Sequence, residues 1–168
     1  MTEIFSSADA RKVVGRHLSR AVHSLWDSAL QDHKTEIREA GKLALEVCVS
    51  HMSNVEASDH REILLDDVLS VLSAYSSSVH DIHGALLASC VLVKTAAETE
   101  SSVQLLWPAV LKVKEKDIQA SRAAMEFMTI AAERSTPLFL LQWLQPTMAW
   151  LCEAMKRERD QNAGRRFH

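Results

Sequence analysis

Glycine and proline are scarce in this chain of 168 residues, which contains four glycines and three prolines. The β-branched and aromatic runs that are typical of sheet proteins are absent as well, and aromatic residues make up 5% of the chain. These absences argue against a β-sandwich, a barrel and a glycine-rich nucleotide-binding fold. Hydrophobic residues, by contrast, make up 47%. That share is enough to bury a core, which argues against a disordered segment.

An excess of positive charge is also missing. Nineteen Lys and Arg residues against 22 Asp and Glu residues give a net charge of −3. The chain therefore lacks the long-range field of a general nucleic-acid binder, and we expect no nucleic-acid partner. Its three cysteines are odd in number and widely separated, which favours free thiols in a reducing compartment. Cys48, Cys90 and Cys152 each lie in an apolar stripe, which favours buried structural thiols over a catalytic nucleophile.

No targeting or membrane segment is recognisable. The first nine residues lack a basic region followed by an apolar run, so no secretory signal is predicted. The most apolar stretch, residues 137–155, is interrupted by two glutamines, a proline and a glutamate. A membrane span needs about 20 nearly uninterrupted apolar residues. We therefore expect no membrane insertion and a cytosolic or nuclear location.

Apolar residues recur at helical spacing from end to end, which predicts an all-α chain of about seven to eight helices. A loop is predicted over residues 53–58, with Ser58 or Asp59 capping the next helix. Pro108 and Pro146 are expected to interrupt or bend the fifth and seventh helices. The predicted helices span about 8–31, 34–52, 59–74, 80–97, 101–111, 117–133 and 136–155, with a charged turn at 112–116 and an eighth helix opening at 163–168.

A pattern of a polar or basic residue followed by small residues repeats along the chain. Its anchors are Arg38, His83, Arg122 and Arg165, which are 45, 39 and 43 residues apart. HEAT and armadillo repeats have periods of about 40–47 residues, and the small residues would let antiparallel helices cross closely. The prediction is a HEAT/armadillo-like α-solenoid of antiparallel helix pairs. One helical-repeat segment would span 1–168, with repeats at roughly 8–52, 58–99, 101–134 and an incomplete 136–168, as in a fragment of a longer polypeptide.

Catalytic constellations are missing from the sequence. His80 and His83 lie three residues apart, as a metal-binding pair could, but no Cys, Asp or Glu pair at ligand spacing completes a site, so capping or surface roles are favoured. Phosphate-binding loops, nucleophile elbows and kinase motifs are absent. We therefore predict no catalytic residue, no metal ligand and no cofactor-binding residue. Trp107, Trp143 and Trp150 could anchor a partner, although their apolar helices favour the core. Partner-binding residues are not assigned.

Several motifs occur in a fixed order along the chain: Glu36-Ile37-Arg38-Glu39-Ala40-Gly41, Asp81-Ile82-His83-Gly84-Ala85-Leu86-Leu87, the helix of 131–150, and Met155-Lys156-Arg157-Glu158-Arg159 with Phe167. In this order they resemble the N-terminal HEAT region of target-of-rapamycin (TOR) Ser/Thr protein kinases. The resemblance covers roughly residues 33 to 168, and its most specific parts are His-Gly-Ala-Leu-Leu at 83–87 and the charged joint at 155–159.

The resemblance implies a large parent kinase of the phosphatidylinositol-kinase-related class that regulates growth in response to nutrients. The kinase domain would lie outside this chain, which would itself not be an enzyme. The chain would be a scaffold that docks a Raptor-like adaptor or helps the kinase dimerise, and the parent complex could associate with endomembranes. Two alternatives stay open: a stand-alone HEAT adaptor of the tubulin-binding or transport type, and an enzyme built on a helical bundle with convergent polar residues.

Overall fold

The computed structural model describes residues 7–52, 54–74, 76–97, 99–113 and 117–165. Within those ranges every regular element is helical and seven helices are present, so the predicted all-α class is confirmed. Their bounds are α1, Ser7–Ser24 with a π-helical continuation Leu25–Leu30; α2, Thr35–His51; α3, Asn54–Ser73; α4, Val79–Thr95; α5, Glu100–Lys112; α6, Ile118–Arg134; and α7, which runs as Thr136–Leu138, a π-helical Phe139–Trp143 and Leu144–Arg165.

Local capping explains where several helices begin. Ser78 accepts a hydrogen bond from the backbone N–H of Asp81, whose side chain accepts one from the backbone of Ser78 in return, so a capping box starts α4. Asp117 caps α6 by accepting hydrogen bonds from two backbone N–H groups. The predicted start at Thr136 is confirmed, because α7 begins there with Pro137 in its first turn.

Two boundary predictions are wrong. The predicted loop at 53–58 is largely helix, since α3 already begins at Asn54 and therefore contains Ser58 and Asp59. Polar residues occur in the first turns of helices as readily as in loops, so their presence did not mark a loop. The predicted eighth helix is also wrong over 163–165, because α7 continues to Arg165. The charged residues after 155 are good helix formers, and one glycine costs about 1 kcal/mol, too little to end a helix.

Proline does not break either helix that contains it. Helix α5 is continuous across Pro108, contrary to an interruption there. In α7, Pro146 follows the π-helical segment Phe139–Trp143. A proline lacks the N–H that would bond the carbonyl of Gln142, four residues earlier, and its ring crowds that carbonyl. A π-helical turn is wider than an α-helical turn, and here it contains Gln142, so the proline ring has room beside that carbonyl. In the predicted charged turn at 112–116, Lys112 ends α5 and residues 114–116 lie outside the described ranges.

The helices pack as successive antiparallel couples. Sequence neighbours form the couples α1–α2, α3–α4 and α5–α6, and each helix also packs on the one two positions further along the chain. Helices α1, α3, α5 and α7 therefore form one layer, whereas α2, α4 and α6 form a second layer. This arrangement is that of a helical repeat, in which stacking neighbours builds one continuous core.

Helix α4 lies at the centre of the core. All eleven residues from His83 to Val93 are buried, whereas α2 and α6 bury one face each. Helices α2 and α6 flank α4 within its layer, and α1, α3 and α5 pack on it from the other layer. An ion pair between Lys42 of α2 and Glu126 of α6 joins the two flanking helices across α4. The central position explains why α4 is apolar on nearly all sides.

Two glycines confirm the predicted close helix crossings. A Cβ atom on Gly84 would lie 1.8 Å from the carbonyl oxygen of Leu30, and one on Gly41 would lie 2.8 Å from Cβ of Ala29. Both glycines therefore pack against the π-helical end of α1. Gly41 approaches the helix of its own couple, but Gly84 of α4 reaches across to the preceding couple.

Candidate functional site

Two repeat anchors meet in a buried polar contact between α2 and α4. Arg38 is 3% exposed and His83 is 1% exposed. The Nε of Arg38 donates a hydrogen bond to Nδ1 of His83 over 2.8 Å. The remaining guanidinium nitrogens donate to the carbonyl oxygen of Asp32 and, over 3.0 Å, to Oγ1 of Thr35. The buried cation is thus satisfied by three acceptors, as a buried charge must be.

This environment keeps the imidazole of His83 neutral at neutral pH. The pKa of His83 is lowered from 6.5 to about 4. Burial is the largest cause, and the charge of Arg38 is the second. Because Nδ1 accepts a hydrogen bond, the ring proton is on Nε2. Oε1 of Glu39 is 3.7 Å from Nε2, which is too far for a hydrogen bond. His83 therefore ties α2 to α4.

The structure does not bring the two candidate metal-binding histidines together. His83 is buried on Arg38, whereas His80 is exposed at the start of α4. Among the residues described, no group of three or more His, Cys, Asp or Glu side chains is placed to hold a metal ion. The third anchor, Arg122, does not extend the polar contact, because it is exposed on α6. The fourth anchor, Arg165, lies at the end of α7 instead of on a separate helix.

The cysteines divide into three environments. Cys90 is buried on α4, where its Sγ lies 3.8 Å from the carbonyl oxygen of Ala123, and burial raises the pKa of its thiol to about 12. Cys48 is partly buried, and burial raises the pKa of its thiol as well. Cys152 is exposed on α7, so the prediction that all three thiols are buried is wrong. Cys152 lies on a face of α7 that none of the described helices covers.

The tryptophans belong to the core and attach α7 to the couple before it. The ring of Trp107 on α5 is fully buried, with the ring centroids of Phe139 and Trp143 of α7 at 5.4 Å and 6.0 Å. Its Nε1 donates to Oγ1 of Thr147 over 3.1 Å. Trp150 donates from Nε1 to the carbonyl oxygen of Val113 over 3.1 Å. These contacts pack one face of α7 against α5 and the residue that follows it.

The opposite face of α7 is an exposed apolar surface. Leu141 is 85% exposed and Met155 is 62% exposed. Successive spacings of three or four residues place the members of this surface along one side of a helix. We call it the α7 stripe, and it consists of Leu141, Leu144, Met148, Cys152 and Met155.

The residues of the α7 stripe were predicted to be core, because apolar residues at helical spacing indicate a core face. A signal was nevertheless present. Helix α7 carries large apolar residues on two opposite sides, with Trp143 and Trp150 on one and the α7 stripe on the other. A helix that is apolar on both sides needs contacts on both sides. The stripe is thus the best candidate for a partner-binding site in the described part of the chain.

A cavity of about 340 Å³ beside the end of α4 has charged side chains in its walls. In these walls, Nζ of Lys94 lies 2.7 Å from Oε1 of Glu46. Its arginine, Arg61, donates to the carbonyl oxygen of Thr95 at the C-terminus of α4. These groups are engaged with one another or with the helix end, where cations stabilise the dipole.

Comparison with known proteins identifies no relative: no family model, no curated protein and no solved structure matches the chain. Among the residues described, no helix combines the length and the apolar character required to cross a bilayer.

Proposed function

We propose that this chain is a non-catalytic scaffold segment that binds other proteins through the α7 stripe. The stripe is the observation that supports the proposal, since contiguous exposed apolar surface is typical of protein-binding sites. Full burial of each large side chain would contribute about 1.5–3 kcal/mol. The rigid base beneath the stripe, built by Trp107, Trp143 and Trp150, would hold it in place before a partner arrives.

We extend the proposal to a parent protein on the resemblance of residues 33–168 to TOR kinases. The chain would then be a helical arm of a TOR-like Ser/Thr kinase in nutrient and growth signalling, and its partners would be a Raptor-like adaptor or another copy of the kinase. Two helix layers with adjacent couples stacked on each other support such an arm, because solenoids of this kind offer extended binding surfaces.

A binding assay with a purified Raptor-like adaptor tests the proposal. The wild-type chain should retain the adaptor, and the double variant Leu141→Glu/Met148→Glu should lose at least about tenfold in affinity, because two charges would be buried in the interface. Leu105→Glu on α5 is the matched control, since Leu105 is an exposed leucine outside the stripe. Equal retention of all three proteins would contradict a role for the stripe.

The transcript that encodes the chain separates a kinase parent from a stand-alone adaptor. A reading frame that continues beyond His168 into a kinase domain is the expected result. A stop codon directly after His168 would overturn the kinase parent and leave the adaptor of the tubulin-binding or transport type.

A further inference from the structure

A second apolar surface lies at the other end of the helix array from the α7 stripe. Helix α2 belongs to the first couple, and its side opposite the buried Leu45 and Val49 exposes Leu43 and Val47. Leu43 is 64% exposed. We call this surface the α2 stripe, and it consists of Ala40, Leu43 and Val47.

The charges beside the two stripes are opposite in sign. Glu36 is exposed two turns before Leu43, at the N-terminal end of the α2 stripe. Glu39 is exposed one turn before Leu43, with its Oε1 3.7 Å from Nε2 of His83. Lys156 and Arg159 are exposed beside and beyond Met155, at the C-terminal end of the α7 stripe. Arg159 has a carboxylate near it, Oδ1 of Asp160 at 3.8 Å, but both side chains are largely exposed, and such pairs are weak.

The order of apolar and charged residues selects one orientation. Each stripe is apolar over most of its length and charged at one end, which is the N-terminal end in α2 and the C-terminal end in α7. Acidic and basic ends meet only if the two helices run antiparallel. Both helices have the same rise per residue, so placing Glu36 opposite Arg159 puts Ala40 near Met155 and Val47 opposite Met148. In this register the charged ends meet, and the part of the α7 stripe from Met148 to Met155 covers the α2 stripe.

We propose that a second copy of this chain docks its α2 stripe on the α7 stripe in this antiparallel orientation. The inference rests on the proposed scaffold function and names one partner for the same surface. The contact is head-to-tail, because the two stripes are different surfaces at different ends of the array. Each copy in a pair keeps one unused stripe, so assembly continues beyond a dimer.

Sedimentation velocity of the full chain over a range of concentrations tests the inference. Wild type should form oligomers that grow with concentration, whereas Met148→Glu and Leu43→Glu should each sediment as a monomer. An equimolar mixture of the two variants should form a dimer and nothing larger, because one intact α7 stripe meets one intact α2 stripe. Leu105→Glu should behave as wild type, and far-UV circular dichroism checks that every variant is folded.

Symmetric pairing predicts a different pattern. Contacts between two α7 stripes would leave Leu43→Glu oligomeric, and contacts between two α2 stripes would leave Met148→Glu oligomeric. Either result, or a wild type that stays monomeric throughout, overturns the inference. If the mixture stays monomeric while Leu141→Glu/Met148→Glu loses the adaptor, the head-to-tail contact fails but the proposed function stands. If the mixture dimerises while adaptor binding is unaffected by that double variant, the adaptor role fails instead.

Charge reversal tests the orientation. Glu36→Arg and Arg159→Glu should each weaken self-association by about two- to fivefold, the range expected of an exposed ion pair. The double variant, which carries both changes in one chain, should associate nearly as well as wild type. Added salt should reduce these differences. A double variant weaker than either single variant would overturn the antiparallel register.

Discussion

Arg38 and His83 are 45 residues apart in sequence but share a buried hydrogen bond of 2.8 Å between Nε and Nδ1. They occupy equivalent positions in the repeat pattern, on the second helices of adjacent couples. The hydrogen bond therefore links one repeat to the next, in addition to the apolar packing of α2 on α4. Its stability contribution and its pH dependence are both measurable.

Removing the arginine should destabilise the chain strongly. Arg38→Met leaves Nδ1 of His83 and the carbonyl of Asp32 without their donor, and we expect a loss of about 2–4 kcal/mol in the free energy of unfolding. A double-mutant cycle with His83→Leu should give a coupling energy above about 1 kcal/mol. Urea unfolding provides both values. The control is Arg122→Met at the exposed third anchor, which should change the free energy of unfolding by less than about 0.5 kcal/mol. Equal losses at Arg38 and Arg122 would show that the buried hydrogen bond of Arg38 does not stabilise the fold.

The free energy of unfolding should decrease as the pH decreases through a window set by His83. The pKa of His83 is about 4 when folded and 6.5 in the reference state. Between these values the unfolded chain binds more protons, so stability is lost as the pH falls below about 6.5. Between pH 7 and pH 5 the loss attributable to this group is about 2 kcal/mol.

Urea unfolding at both pH values, on wild type and His83→Gln, checks the expected loss. Glutamine can accept the hydrogen bond of Arg38 but does not titrate, so its stability should depend less on pH. His17→Gln is the matched control, because His17 is an exposed histidine on another helix, α1. Asp117, Lys42 and His80 also act on His83 electrostatically and are unchanged in both variants, as is Glu39 at 3.7 Å. An identical pH dependence in wild type and His83→Gln would disprove the assignment.

The two glycines that contact α1 should differ in their tolerance of a methyl group. In Gly84→Ala the new Cβ would overlap the backbone carbonyl of Leu30, which cannot move independently of α1, and we expect a loss of about 3 kcal/mol or more. In Gly41→Ala the new Cβ meets a methyl group at 2.8 Å, and the better helix propensity of alanine offsets about 1 kcal/mol. Thermal unfolding of both variants gives the comparison. A smaller loss at Gly84 than at Gly41 would contradict the close crossing.

Thiol labelling should follow the burial of the three cysteines. With a maleimide at pH 7.5 under native conditions, we expect Cys152 to react first, since it is exposed, and Cys48 more slowly. Cys90 should react only after unfolding, because its thiol is buried and the pKa of about 12 leaves almost no thiolate. Peptide mass spectrometry after timed quenching measures each site. Rapid labelling of Cys90 in the folded chain would show that α4 is not the enclosed centre of the core.

Helix content and the small-residue crossings were predictable because both depend on local sequence. Periodic apolar residues indicate helices whatever their neighbours, and Gly41 and Gly84 marked close contacts. Helix ends were less predictable. The start of α3 and the continuation of α7 both involve polar residues that suit a helix and a loop almost equally well. The π-helical segments, Leu25–Leu30 and Phe139–Trp143, carried no recognised signal.

The candidate site could not be predicted from the sequence. The residues of the α7 stripe have the spacing of a core face, and Leu141 was as good a core candidate as Leu138. The difference between them depends on which neighbouring helix is present. Cys152 illustrates the same point, since it resembles Cys90 in sequence but is exposed.

The sequence alone determined that this protein is built of helices, because residue spacing along the chain decides which side chains share a helix face. The tertiary structure decided which of those faces are buried. Burial depends on contacts between residues far apart in sequence, such as Arg38 with His83 and Trp107 with Trp143. An apolar face with a neighbour becomes core, and an identical face without one, as on the outer side of α7, becomes a surface available for binding.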